Sequence, residues 1–208
     1  MAFVSNGTTI LDAGAFSVSL GAMVHIKTLT ASSSADLSFV HGSSSVVLNN
    51  TYPIYKFVFT DMHPATDSAE WTFNLSADTG GNYNVTKTTT LIQTYHNEDE
   101  GVDSGTAIQY TTASDMAQST GHQTLAEDCG NGNDECVSGS LMLFNPSSTT
   151  FVKHFMTNAN SHHAGNYTQH YMVAGYGNTT SAVDAIQFKF SSGNVDSGTI
   201  KLYGIKDS

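Results

Sequence analysis

Three groups of residues have the types and spacing for chemistry. Cys129 and Cys136 bracket the Gly-rich stretch GNGNDE. Strand ends on either side of such a loop can bring two Cα atoms within bridging range, so a Cys129–Cys136 disulfide is one reading. Two free thiols, as in a chain folded in a reducing cytoplasm, is the other. Acidic loops come next: Glu98, Asp99, Glu100 and Asp103, then Asp128, Asp134 and Glu135. Their carboxylates suit Ca²⁺, but neither loop has EF-hand spacing. Charged, solvated loops are the ordinary role of such runs. Asp128, Asp134 and Glu135 are therefore weak metal candidates, and no metal or other cofactor is expected. Four of the nine histidines, His154, His162, His163 and His170, fall close together. On a strand the adjacent His162 and His163 point to opposite faces. That is poor geometry for one metal except across a symmetry axis, so surface or core packing is expected.

Enzyme signatures are missing. The sequence contains no G-x-S-x-G, H-E-x-x-H, P-loop or G-x-G-x-x-G, and no catalytic residue is assigned. Paired carboxylates for glycan cleavage are not readable from sequence, because their separation in space decides the reaction. Tyr95, Tyr110, Tyr167, Tyr171 and Tyr176 lie near expected strand ends and loops. Exposed, they would stack on sugars; buried, they would pack the core.

The composition narrows the partners. The 208 residues include seven basic side chains, all Lys, and carry a net charge of −11. Nucleic acid, which needs a clustered basic surface, is excluded as a partner. Charged residues are 12% of the chain, about half the usual share of roughly 25%, so Ser, Thr, Asn and Gly must supply the polar surface. No apolar run reaches the ~20 residues of a membrane-spanning helix. The start lacks the basic-then-apolar pattern of a secretory signal, and synthesis in a cytoplasm is expected.

The elements that must position these groups read as strands. In AIQFKFSSGNVDSGTIKLYGI, Ala185 to Ile205, Ile186, Phe188 and Phe190 alternate with polar residues; after a turn-rich connection Ile200 and Leu202 do the same. The pattern predicts a core antiparallel hairpin. SLMLFNPSSTTFVKHFM, Ser140 to Met156, predicts a second one around an Asn-Pro turn. Tyr55, Phe57 and Phe59 form one aromatic row, and Trp71, Phe73 and Leu75 another; the two are expected to meet across packed sheets. Trp71, Phe73, Phe188, Phe190 and Leu202 are the expected core. VVLN (Val46 to Asn49) and VTKTTTLIQTYH (Val85 to His96) read as strands, the latter exposed or curved. ASDMAQST suits one helical turn capped by Ser114. Phe16, Val18 and Leu20 alternate, after a short leader over residues 1–15. About ten to thirteen short strands follow, with boundaries soft by roughly 2–4 residues. The expected architecture is one all-β domain over residues 1–208, a two-sheet antiparallel sandwich, jelly-roll-like.

Three stretches carry a resemblance: KTLTASSSADLSFVHG, LFNPSSTTFVKHF and FKFSSGNVDSGTIKLYGI. They resemble virion-associated β-sandwich structural proteins of marine tailed bacteriophages. The likeness covers about Ala22 to Ile205, and the run from Ser192 to Gly204 is its most specific part. The resemblance implies a non-enzymatic virion component made in the host cytoplasm: a capsid decoration or head-fibre protein, a tail fibre or an adaptor. It implies partners among other virion proteins and copies of itself, as a trimer or larger symmetric assembly. A carbohydrate-binding module that recognises a host-surface glycan is the alternative, and a glycan-degrading enzyme a more distant one.

Overall fold

A computed structural model describes residues 3–5, 8–12, 15–16, 22–99 and 108–206. The described residues form fifteen strands and no helix. The first three, β1 (Phe3–Ser5), β2 (Thr8–Asp12) and β3 (Ala15–Phe16), make a small antiparallel sheet of their own. The expected leader therefore contains strands. The alternation at Val18 and Leu20 lies outside the described residues.

The remaining twelve are β4 (Met23–Thr30), β5 (Leu37–Val40), β6 (Ile54–Pro64), β7 (Ala69–Ser76), β8 (Lys87–Asn97), β9 (Ile108–Tyr110), β10 (Gln123–Cys129), β11 (Val137–Phe144), β12 (Lys153–His163), β13 (Tyr167–Gly177), β14 (Ala185–Phe190) and β15 (Val195–Ile205). They pair antiparallel throughout. One layer runs β4-β15-β6-β11-β12-β13-β8-β9, and the other runs β10-β7-β14-β5. A single ladder pair, Cys129 with His163, joins them at a corner. The result is the all-β two-layer sandwich that the strand pattern predicts.

Aromatic rings fill the space between the layers. Phe59 meets Trp71 edge-on at 5.9 Å, Phe57 meets Phe39 at 5.3 Å and Phe73 meets Phe155 at 4.9 Å. Trp71 stacks on Phe188 at 5.9 Å. The expected core residues Trp71, Phe73, Phe188, Phe190 and Leu202 are all buried.

Three local expectations are corrected. First, β14 and β15 do not pair: β14 lies between β7 and β5, and β15 between β4 and β6. Alternation identifies a buried face but not the neighbour on it. Here Phe188 and Leu202 come from opposite layers, and residues 191–194 form an arch over the edge of the core. Gly193 in this arch has φ +69°, and an added Cβ would strike Thr66 of the β6–β7 arch. Gly198 has φ +119° and lies against the Asp61 carbonyl at a bulge between β15 and β6, a conformation only glycine adopts cheaply. Second, residues 113–120 form no helix. The Ser114 hydroxyl donates to Glu127. The segment instead lies along β8: the Thr89 N–H donates to Met116 O at 2.9 Å, and Lys87 and Ser119 exchange two backbone bonds. An unpaired strand edge binds such a segment more strongly than an isolated turn can hold itself. Third, Val46 to Asn49 is irregular, although Val46 and Leu48 are buried. The Val85 to His96 run does form a strand, β8, whose alternate side chains are buried. The Ser140 to Met156 hairpin is present as β11–β12, with Leu143 opposite Phe155 and Phe151 out in the exposed loop.

Phe188 and Leu202 face the core from different layers, and each truncation opens a cavity costing roughly 2–5 kcal/mol. Domains of this kind have only about 5–15 kcal/mol in total. The double variant Phe188→Ala/Leu202→Ala is expected to lose its folded circular dichroism spectrum and cooperative melting; a soluble, fully structured variant would contradict this core assignment.

Candidate functional site

The outer face of the larger layer is the most distinctive surface. Alternation buries Phe155, Tyr171, Val173 and Leu91, and turns their neighbours outward. The outward rows are in register: Met142, Met156, Ala174 and Thr90 across β11, β12, β13 and β8, then Ser140, Asn158, Met172, Ile92 and Tyr110 one step on. Met156 is 52% exposed, Met172 44% and Tyr110 59%. Phe144, His154 and Tyr176 extend the patch at one end, around a hollow of about 550 Å³. A second hollow of about 300 Å³ opens between Met142, Met156, Met172 and Ile92. Across the outward positions of these strands there is no Lys, Asp or Glu. In a chain of net charge −11, that leaves one broad face on which copies do not repel each other. Lys56, paired with Met142, and Lys201, paired with Val58, border it.

The other end of this face is polar. Asn160, His162, Thr168, His96 and Glu98 line a cleft of about 230 Å³. His162 lies between two carboxylates, with Nε2 3.2 Å from Glu98 and Nδ1 3.5 Å from Glu135. Its neighbour His163 takes a different carboxylate, Asp128, at 3.4 Å, and stacks on Tyr167. The weak metal candidates are thus dispersed. Asp128 and Glu135 serve different histidines, and the second Glu135 oxygen accepts the Gly132 N–H. Among the described residues no three His, Cys, Asp or Glu converge on a metal position. Glu100 and Asp103 lie outside the described residues. Cys129 and Cys136 are free thiols, and burial pushes the Cys129 thiol up to about 12, which makes it inert rather than nucleophilic. Of the candidate sugar-stacking rings, Tyr171 is fully buried and donates to Gln169 Oε1 at 2.5 Å, while Tyr110 is exposed.

Two groups escape a reading by motif. The outward methionines are one. Their signal is the loss of alternation in Phe155-Met156, Tyr171-Met172-Val173-Ala174 and Leu91-Ile92, since continuous apolar runs belong to strands covered on both faces. The buried lysines are the other. Lys87 and Lys153 are fully enclosed and flank Gly177 in one ladder row. Lys153 Nζ donates to the Phe151 and Thr179 carbonyls at 2.7 and 3.1 Å. Lys87 Nζ donates to Asn74 Oδ1 and, at 2.9 Å, to the Val85 carbonyl. Among the described residues neither amine has a carboxylate partner. Desolvation lowers both, Lys87 to about 7.

No protein-family model matches the chain, and neither the curated proteins nor the solved structures provide a match.

The Lys153 site gives a signed pH dependence. Its folded value lies below the ordinary 10.5 of an unfolded lysine, so unfolding takes up a proton between the two values. Stability then rises with pH across that window. The melting temperature of the wild type should climb relative to that of Lys153→Met as pH is raised toward 10.5; parallel curves would show that the amine is solvated in the folded state.

Proposed function

We propose that this chain is a non-enzymatic structural module that assembles in many copies, as a surface component of a tailed-phage particle. The observation that carries the assembly part is the uncharged Met- and Ile-bearing outer face of β11, β12, β13 and β8. Exposed apolar patches of this breadth mark contact surfaces. The occupant is a second copy of the chain. The face lacks the negative charge that the rest of the chain carries, and the Lys56 and Lys201 border complements a neighbour's acidic loops. The particle part rests on the resemblance of the run from Ser192 to Gly204 and the two stretches before it. A glycan-binding role is the second reading, favoured by the polar cleft of Glu98, Asn160 and His162.

Light scattering coupled to size exclusion tests the first reading. The wild type should elute as a symmetric oligomer with more than ~1,000 Å² buried per pair. Met156→Glu/Met172→Glu should shift it to monomer without loss of its circular dichroism spectrum. A wild type that stays monomeric at high concentration, or a double variant that stays oligomeric, would overturn the assignment of this face.

A further inference from the structure

Lys87 and Asn74 form a buried polar pair. Asn74 sits on β7, between β10 and β14 in the smaller layer, and is 1% exposed; Lys87 opens β8 in the larger one and is fully enclosed. The amine spans the corner between the layers and ends on the side-chain carbonyl of Asn74. A lysine brought this far from water normally meets a carboxylate. Among the described residues none hydrogen-bonds either side chain.

The carboxamide is held in one orientation. Its Nδ2 donates to the Tyr83 and Thr120 carbonyls at 2.5 and 3.0 Å. Its Oδ1 accepts the Leu75 N–H at 2.9 Å as well as the lysine. The carboxamide is thus held in one orientation with the lysine amine against its oxygen, in a dry site where only the un-ionised amine can attack. At neutral pH a large fraction of Lys87 is in that form.

From this geometry we propose that Lys87 and Asn74 join in an intramolecular isopeptide bond. The Nζ lone pair attacks Cγ of Asn74, and the C=O π bond opens onto Oδ1. The Leu75 N–H supports the negative charge that forms there. The carbonyl re-forms as the Cγ–Nδ2 bond breaks. The proton shed by Nζ passes to Nδ2, which leaves as ammonia. The products are one secondary amide, Nζ–Cγ, and one ammonia, with no oxidant, metal or other reagent consumed. Uncatalysed amide exchange is slow in free solution. Holding the two groups in contact is worth effective concentrations of about 10⁵–10⁸ M in well-oriented cases, and exclusion of water removes the competing hydrolysis. Among the described residues no carboxylic acid bonds either side chain to assist the proton transfer, so the reaction proceeds after folding, over the time the purified protein is held.

The test is intact mass spectrometry of the purified full chain, followed over days in mildly alkaline and in mildly acidic buffer. The expected result is a species lighter by one ammonia, accumulating faster in the alkaline sample. After denaturation, tandem mass spectrometry of its peptides should show a branched peptide joining Lys87 to Asn74. That assignment separates it from a cyclic imide at an Asn, which has the same mass loss but an unbranched peptide. Lys87→Arg should show no such species. Should that variant fail to fold, the branched peptide in the wild type decides alone. An intact mass equal to that of the sequence after prolonged alkaline incubation, or a mass loss without the branched peptide, would overturn the proposal.

Discussion

The structure depends on the contact between Trp71, Phe188 and Phe59. Trp71 and Phe188 are neighbours on the smaller layer and stack face to face, and Phe59 reaches them edge-on from the larger layer. Ring pairs in this geometry add about 0.5–1.5 kcal/mol beyond their buried area. They also set the spacing between the layers and so fix where every other inward side chain must end. The layers share a single ladder pair between β10 and β12, so side-chain packing, rather than hydrogen bonding, determines how they sit.

That dependence matters because the chain keeps moving between layers. The connections β4–β5, β6–β7 and β14–β15 all cross the core at one end, and they bond to each other: Ser34 pairs with Val195, and the Ala65 N–H donates to the Asn194 carbonyl. In-layer hairpins are confined to β8–β9, β11–β12 and β12–β13. Most contacts therefore join distant parts of the sequence, a topology that folds slowly. The three long hairpin strands β12, β13 and β8 pair without a register break, whereas β15, β6 and β10 carry bulges. The unbroken strands carry most of the outer face on which assembly is proposed.

Much of this was legible in the sequence because burial leaves a period-two trace. The rows Tyr55-Phe57-Phe59 and Trp71-Phe73-Leu75 can be recognised, and so can their meeting across the core. Strand partners leave no such trace. The alternation in Phe188 and Phe190 is the same whether β15 lies beside β14 or opposite it, and only the arch residues differ. The candidate site was less legible still. Acidic and histidine clusters attract attention by type, yet Asp128, Glu135, His162 and His163 pair off instead of converging. Lys87 and Lys153 read as ordinary polar positions, because nothing in a linear sequence says that a loop and a second sheet will close over them.

The placement of the lysines has one more consequence. The chain has no Arg, and six of its seven Lys lie within strands, at positions 27, 56, 87, 153, 189 and 201; the seventh, Lys206, follows β15 directly. Proteases that cut after basic residues need a segment that can leave the fold and enter their cleft, which is a property of loops. Here the connections between strands contain no basic residue, and Lys206 aside, the lysines become available only when a layer comes apart. Digestion by trypsin-like enzymes would therefore report the opening of the sandwich itself. Against enzymes of this one specificity the fold protects itself by where its lysines sit, with both cysteines free.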